Sequence, residues 1–403
     1  MRHQPMQHGL AARDLVCACL LVLICCTMGW AQTDENRDQR GTRLGGLILS
    51  PTIDTSLSYN DNIFSEEGDP TDSLILRFTP AAEIASDWRR HSIALAGEAE
   101  IGRFLSSPED NYIDGSFGFE GTVDATRATR ARLNLDISRE HEERGSDDAP
   151  LTLNGPVELL RIGAMLTGQY APGRLRLQPS AGVERIEFTG FQNDRDRDSI
   201  RLGALIGWRY SGKTELFAEG SLTLTDFDDE ADRSGFDRDN TSVRLLAGVD
   251  WDMSRLIQWR LAAGFERRRY DDPALTGFSG PVVEGRMTWK PTRLIEINTI
   301  AARRIEETTI APASGIDVLS GRVAARWDIR RTLDLTADAV FERRDFRGTT
   351  RTDNAVSIGI GAEWQIRRGA VLSAGYRHVR ERSSAPGEDH SANLLFLGVG
   401  YRF

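Results

Sequence analysis

The stretch Ser391–Phe403, SANLLFLGVGYRF, decides how the rest of the chain is read. It alternates: Leu395, Leu397, Val399, Tyr401 and Phe403 fall on one face of an extended strand, and Leu394, Phe396, Gly398, Gly400 and Arg402 on the other. The first face is wholly apolar, while the second turns small and polar toward its end. A soluble strand rarely stops on an aromatic residue that carries the free carboxylate. A strand that closes a membrane barrel, with lipid on one side and a wetter space on the other, is expected to have this pattern. Tyr401 and Phe403 are then the signal read by barrel-assembly machinery.

At 403 residues the chain could hold two soluble domains or one large barrel. Residues 1–31 read as a secretory signal peptide, with Arg2 and Arg13 as the positive leader, Leu15 to Met28 as the apolar run, and Gly29 and Ala31 ahead of cleavage before Gln32. Cys19 after Val16 and Ala18 resembles a lipoprotein cleavage site, but almost no apolar run precedes it. The four cysteines, Cys17, Cys19, Cys25 and Cys26, all lie inside the signal, so the mature chain is expected to use neither disulfides nor thiolates. A spanning helix needs about 20 apolar residues and no later stretch approaches that, so insertion would have to use strands. Residues 32–45 are polar and aperiodic and read as a flexible periplasmic leader. The formal charge of -10 argues against a nucleic-acid partner.

From residue 46 onward, alternating stretches are separated by breaks that are short and long in turn. The clearest places Ile200, Leu202, Ala204, Ile206, Trp208 and Tyr210 on one face and Arg201, Gly203, Gly207 and Arg209 on the other. Eighteen such stretches can be traced, an even number that leaves both ends on one side of the membrane. Pro179 weakens the seventh, since it cannot donate to a ladder. The reading is thus all-β: an up-and-down antiparallel barrel of about 18 strands over residues 46–403, with short periplasmic turns and longer extracellular loops.

Tryptophan gives an independent orientation. Trp88, Trp208, Trp251, Trp259, Trp289, Trp327 and Trp364 all lie beside short turns. Amphipathic rings collect where acyl chains meet headgroups, so these seven are expected to form a periplasmic aromatic belt. A soluble propeller or sandwich is the architectural rival. Such a fold would show recurring blade motifs and would have no need of tryptophans at one level.

Chemistry-bearing residues are sparse. His141 and His378 lie near outer strand ends, where a barrel hydrolase could keep a catalytic group, but no serine elbow, zinc spacing or phosphate loop accompanies them. No catalytic, cofactor-binding or metal-binding residue is assigned. Asp194, Asp196 and Asp198, and Asp226, Asp228, Asp229 and Glu230, are interrupted by arginines and read as solvated loops able to meet lipopolysaccharide through bridging cations. Function is expected in the lumen. The inward positions carry Arg132, Arg161, Arg176, Arg201, Arg209, Arg244, Arg260, Arg286, Arg322 and Arg326, set among acids that include Glu98, Glu100, Glu215, Glu219 and Glu363. So many charges must be paired, hydrated or both.

The opening SPTIDTSLSYNDNIF (Ser50 to Phe64), the segment GAVLSAGYRHVRERSS (Gly369 to Ser384) and the closing GVGYRF together resemble the bacterial outer-membrane barrels of the putative beta-barrel porin 2 family. The resemblance runs over nearly all the mature chain, mainly as strand rhythm. Members of that family often accompany exopolysaccharide or capsule systems. The resemblance therefore implies a barrel that helps a polysaccharide cross the outer membrane with periplasmic export partners, and supplies no catalytic residues. The first reading is a transport barrel for polysaccharide or other hydrophilic solutes. The second is a structural or adhesive barrel whose lumen is closed by its own ion pairs, and the third, an outer-membrane hydrolase, rests only on the histidines.

Overall fold

The computed structural model describes residues 41–145 and 154–403. The expected signal peptide, all four cysteines and most of the leader lie outside the described residues. The strands in chain order are β1 (Thr42–Leu44), β2 (Leu47–Asn60), β3 (Ser73–Ser86), β4 (Ser92–Phe104), β5 (Tyr112–Asp124), β6 (Thr129–Glu142), β7 (Val157–Tyr170), β8 (Leu175–Phe188), β9 (Arg197–Arg209) and β10 (Thr214–Phe227). They continue as β11 (Asn240–Trp251), β12 (Ile257–Tyr270), β13 (Phe278–Trp289), β14 (Ile295–Glu306), β15 (Gly315–Arg330), β16 (Leu333–Arg347), β17 (Thr352–Arg367), β18 (Ala370–Ser383) and β19 (His390–Arg402). From β2 on, each strand pairs antiparallel with the next, and β19 returns to β2 with Leu397 opposite Leu57 and Tyr401 opposite Ile53. The eighteen strands β2 to β19 therefore form a closed barrel.

Closure follows from alternation. Leu395, Leu397 and Val399 are more than half exposed, as are Ile206, Ile358 and Ile360, and all lie on the outward side of their strands. On β17 the outward apolar residues run from Val356 to Ile366. Ten residues at ~3.4 Å each, tilted about 40°, rise roughly 25 Å, the height of the apolar band of an outer-membrane barrel.

Residues 42–44, assigned to a flexible leader from composition, instead form β1, a hairpin arm on Leu47–Leu49. The reason lies in the closing seam. β19 covers β2 only from Thr52 to Asn60, which leaves the start of β2 with an open edge that β1 occupies.

Three prolines show how the ladder absorbs a missing N–H. Successive amides in an antiparallel strand point to opposite neighbours, so a proline breaks one ladder and spares the other. Pro179 stays paired with Ala204 of β9, while the β7–β8 ladder skips from Thr167–Ser180 to Tyr170–Leu177. β8 thus runs straight through the position expected to weaken it. Pro80 likewise keeps its partner Ile53, while the β3–β4 ladder skips from Phe78–Ile101 to Ala81–Glu98. Pro281 keeps Phe265 of β12, but on its other side the β13–β14 ladder ends at Glu284–Ala302 and does not resume.

If lipid surrounds the outward side chains, Leu397→Arg should destabilise the barrel by about 2–4 kcal/mol, the toll for a cation near the bilayer midplane. Ser116→Arg, on the inward face opposite Glu98 and Ser138, should be tolerated. Heat-modifiable gel mobility of the two variants reads the difference, and equal folded fractions would remove the lipid-facing assignment.

Candidate functional site

The inner wall has two zones. Toward the extracellular end it is covered by loops and mixes apolar clusters with buried ion pairs, among them Arg344 with Glu381 and Arg195 with Glu142. Ile75, Phe104 and Tyr112 of β3 to β5 are at least 93 % buried together with Ile63 of the loop 61–72, and Phe64 packs beside them. Val157, Leu159, Ile186 and Phe188 form a second cluster on β7 and β8. Ile316, Val318 and Phe346 of β15 and β16 form a third, covered by Ala313 and Ile310 of the loop 307–314. Apolar side chains facing a wet lumen gain by being covered, so these loops turn inward and narrow the outer mouth.

The widest departure from a regular wall lies where the β13–β14 ladder stops. Arg268 and Phe278 are paired neighbours on the inner face of β12 and β13. Arg268 reaches past β13 to ion-pair with Glu307 and to donate to the Ile305 carbonyl at 3.3 Å. Phe278 lies over the guanidiniums of Arg303 and Arg347, at 5.7 and 5.4 Å, and both of these ion-pair with Asp317. By alternation Arg303, Asp317 and Arg347 belong to the outer face of β14 to β16. The wall therefore overlaps here like a lapped joint, with the β14–β15 hairpin stepping inside β13. Arg303 also donates to the Pro281 carbonyl at 3.1 Å, and Arg238 holds the hairpin loop through the Thr308 and Ala313 carbonyls at 2.5 and 2.9 Å.

Below this collar the wall carries many charges, most of them matched across strands, beside a buried apolar patch of Leu205, Phe217, Leu246, Ala262 and Val282 on β9 to β13. Arg176 meets Glu215 at 2.5 Å and Asp250 at 3.5 Å, Arg209 meets Glu215 at 3.7 Å, and Arg260 meets Asp250 at 3.0 Å and Glu219 at 3.2 Å, so one lattice spans β8 to β12. Arg260 also lies 4.0 Å over the Phe217 ring, which crosses Gly248 so closely that a Cβ there would meet the ring at 2.3 Å. Elsewhere Arg132 meets Glu120 at 3.6 Å, Arg161 meets Glu184 at 3.1 Å, Arg244 meets Glu284 at 2.6 Å, and Arg326 meets Asp334 and Asp328 at 2.7 and 3.2 Å. Glu100 accepts the Tyr112 hydroxyl at 2.5 Å, Glu98 faces inward opposite Ser116, and Arg286 stands between Arg260 and Ile300. Among the described residues Arg201, Arg322 and Glu363 have no opposite charge in ion-pair contact. Arg201 donates only to the Thr223 hydroxyl at 3.4 Å.

Sequence reading grouped the charged residues by face but could not find their partners, some of which, as in Arg176–Glu215 and Arg244–Glu284, lie about 40 residues away. It also missed the apolar collar, because Ile75 or Val318 on an inner face looks like noise in the alternation.

The tryptophans take one level. Trp208, Trp251, Trp259, Trp289, Trp327 and Trp364 point outward at the short-turn ends of their strands, and Trp88 sits in the β3–β4 turn. The histidines are held structurally. His141 stacks on Tyr112 at 3.7 Å with Nδ1 2.8 Å from Asp114, and His378 Nδ1 lies 2.9 Å from Asn393.

The acidic loops spend their carboxylates on arginine. Asp198 and Asp228 both bind Arg185, at 3.1 and 2.5 Å. Burial pushes Asp194 up, but the hydrogen bonds and charge of Arg233, 2.6 Å away, outweigh it and hold the carboxyl below its usual range. Asp239 goes the other way. Burial, with Asp226 and Asp237 beside it, pushes it up to about 6, although it accepts the Phe227 N–H at 2.7 Å.

The short turns have a composition of their own. Each of the eight carries at least one cation: Arg89 and Arg90, Arg127, Arg174, Lys213, Arg255, Lys290 and Arg293, Arg331, and Arg368. Arg368 belongs to a two-residue turn that Gly369 permits with φ +87.

A closed barrel with an apolar outside, a charged inside and a loop-narrowed mouth is a porin-like outer-membrane protein. Over residues 36–403 the chain matches the putative beta-barrel porin 2 family, and it belongs to that family. A search of curated proteins found no match. Among solved structures, the outer membrane protein OpdK from Pseudomonas aeruginosa is similar at TM-score 0.51 and 12% identity, over 88% of this chain and 99% of that one. OccK2 (OpdF) of the same species is similar at TM-score 0.50 and 11% identity, over 89% and 97%. At these identities the likeness is one of fold.

Two outcomes follow from the outer mouth. Asp239 has its folded pKa raised, so it is protonated in both states below about pH 4, and its burden on stability grows as pH rises to about 6. Asp239→Asn should therefore raise the thermal unfolding temperature at pH 7.5 and leave it unchanged at pH 4; the gain is no more than about 1 kcal/mol because the group is partly exposed. Arg268→Ala should release the lapped hairpin, seen as faster proteolysis within residues 307–314 while the barrel stays folded. Unchanged cleavage would deny the latch.

Proposed function

We propose that the barrel is a passage for hydrophilic solutes and, as its family resemblance implies, serves exopolysaccharide export together with periplasmic export proteins. The observation that carries this reading is the charged lumen in which, among the described residues, Arg201, Arg322 and Glu363 have no ionic partner. Eighteen strands enclose a lumen wide enough for water, and unmatched charges in it are hydrated and available to a polar solute. The secretory signal, insertion by barrel-assembly machinery, the periplasmic tryptophan belt and contact with lipopolysaccharide complete the proposed setting. A second reading, a structural barrel, draws support from the Arg176–Glu215–Asp250–Arg260 lattice, which stiffens one side of the wall.

Planar bilayers separate the two. Purified protein should give discrete conductance, and Arg201→Glu with Arg322→Glu should shift the reversal potential in a salt gradient toward cation selectivity. If both the wild type and a variant lacking 307–314 insert and never conduct, the lumen is closed and the structural reading stands.

A further inference from the structure

The two mouths of the barrel carry opposite charge. The eight periplasmic turns hold ten Lys or Arg and two acids, Asp87 and Asp252. The described extracellular loops hold twenty-one acids and five arginines. All ten turn cations are exposed. Among the described residues only Lys290 is matched by a carboxylate, Glu296 at 3.1 Å, whereas Arg90 spends its guanidinium on the Asp124 and Ala125 carbonyls of the next turn at 2.9 and 2.5 Å.

We infer that the periplasmic mouth gathers an anionic polysaccharide, one bearing carboxylate or similar acidic groups, by means of this ring of turn cations. The inference rests on the export reading above and adds the charge class and direction of the solute. Neighbouring turns are two strand spacings apart, about 10 Å, which is close to the ~8 Å screening length at physiological salt. Their fields therefore merge around the ring but do not reach the acidic loops at the far end. A polyanion meets attraction where it enters, a largely charge-balanced lumen on the way, and repulsion where it leaves. Contact with anionic headgroups of the inner leaflet is the competing account of the ring. It gives no reason for the opposite mouth to be acidic.

The test uses oriented channels in planar bilayers, polygalacturonate oligomers as the acidic probe and dextran oligomers as the neutral one. Polygalacturonate should half-block the current at a concentration at least tenfold lower from the periplasmic side than from the extracellular side, and dextran should show no such difference. The asymmetry should shrink both at high salt and in R255Q/R293Q/R331Q/R368Q, which keeps six turn cations and the acidic loops, with folding checked by heat-modifiable mobility. Symmetric block in the wild type, or asymmetry undiminished in the quadruple variant, overturns the proposal. So does a variant that loses copurifying anionic phospholipid and keeps the asymmetry, since the ring is then a membrane contact. If neither the wild type nor the variant lacking 307–314 conducts, the export reading fails separately, and polygalacturonate binding to the detergent-solubilised barrel decides the ring. Binding at least tenfold weaker in the variant supports it, and equal binding overturns it.

Discussion

The pairing of β19 with β2 is the contact on which the architecture depends. In hydrocarbon an unpaired backbone amide or carbonyl costs several kcal/mol, so a sheet can face lipid only if it has no edge. Residues Leu394 to Arg402 are matched in register with Asn60 to Thr52, which removes the last two edges. Where that pairing falls short, at Leu47 to Leu49, the chain supplies β1 to fill the gap. Edge satisfaction thus decides even the small features near the seam.

Closure then divides the labour between the two faces. The outer face needs only apolar surface and can be nearly uniform. The inner face has to solve a different problem at each height. At mid-depth it carries charges, and Arg176, Arg260 and their acids repay one another's desolvation through cross-strand pairs. At the outer end it carries Ile75, Phe104, Ile186 and Val318, for which no apolar neighbour exists in an empty lumen. The loops provide one. The inward loops are therefore a consequence of apolar inner-wall residues, and the narrowed mouth follows from packing as much as from any need of a solute.

This division also explains what could be read in the sequence. Leu397 and Val399 announce the outer face because every second residue must be apolar for the height of the membrane, and one register slip would expose the whole set. Strand number and orientation were legible for the same reason, since a long periodic signal survives local exceptions. The inner face has no such repetition. Arg244 finds Glu284, and Arg176 finds Glu215, only once the barrel's curvature is known. Pro281 could be flagged as a broken donor, but Pro80 and Pro179 look the same in sequence and leave the wall intact. What sets Pro281 apart is the neighbouring hairpin, and no local pattern encodes that.

The lapped joint shows how much a single missing donor can be amplified. Above Glu284 the ladder could in principle continue with Val283 beside Arg303, yet the bond forgone at Pro281 lowers the return on zipping the strands further. The alternative arrangement gains the Arg268–Glu307 and Arg303–Asp317–Arg347 contacts, buries Val318 and Ile316, and places Phe278 over two guanidiniums. Charge-assisted hydrogen bonds in a covered site are stronger than neutral ladder bonds open to headgroups and water. The exchange thus favours overlap over edge pairing at the extracellular end, where water can still reach any carbonyl left unpaired. Deeper in the membrane the same exchange would fail, because the freed backbone would face lipid. The joint begins at Glu284–Ala302, where the next outward residue of β14 is the charged Arg303, and the pairs from there to Trp289–Ile297 keep the wall sealed below it.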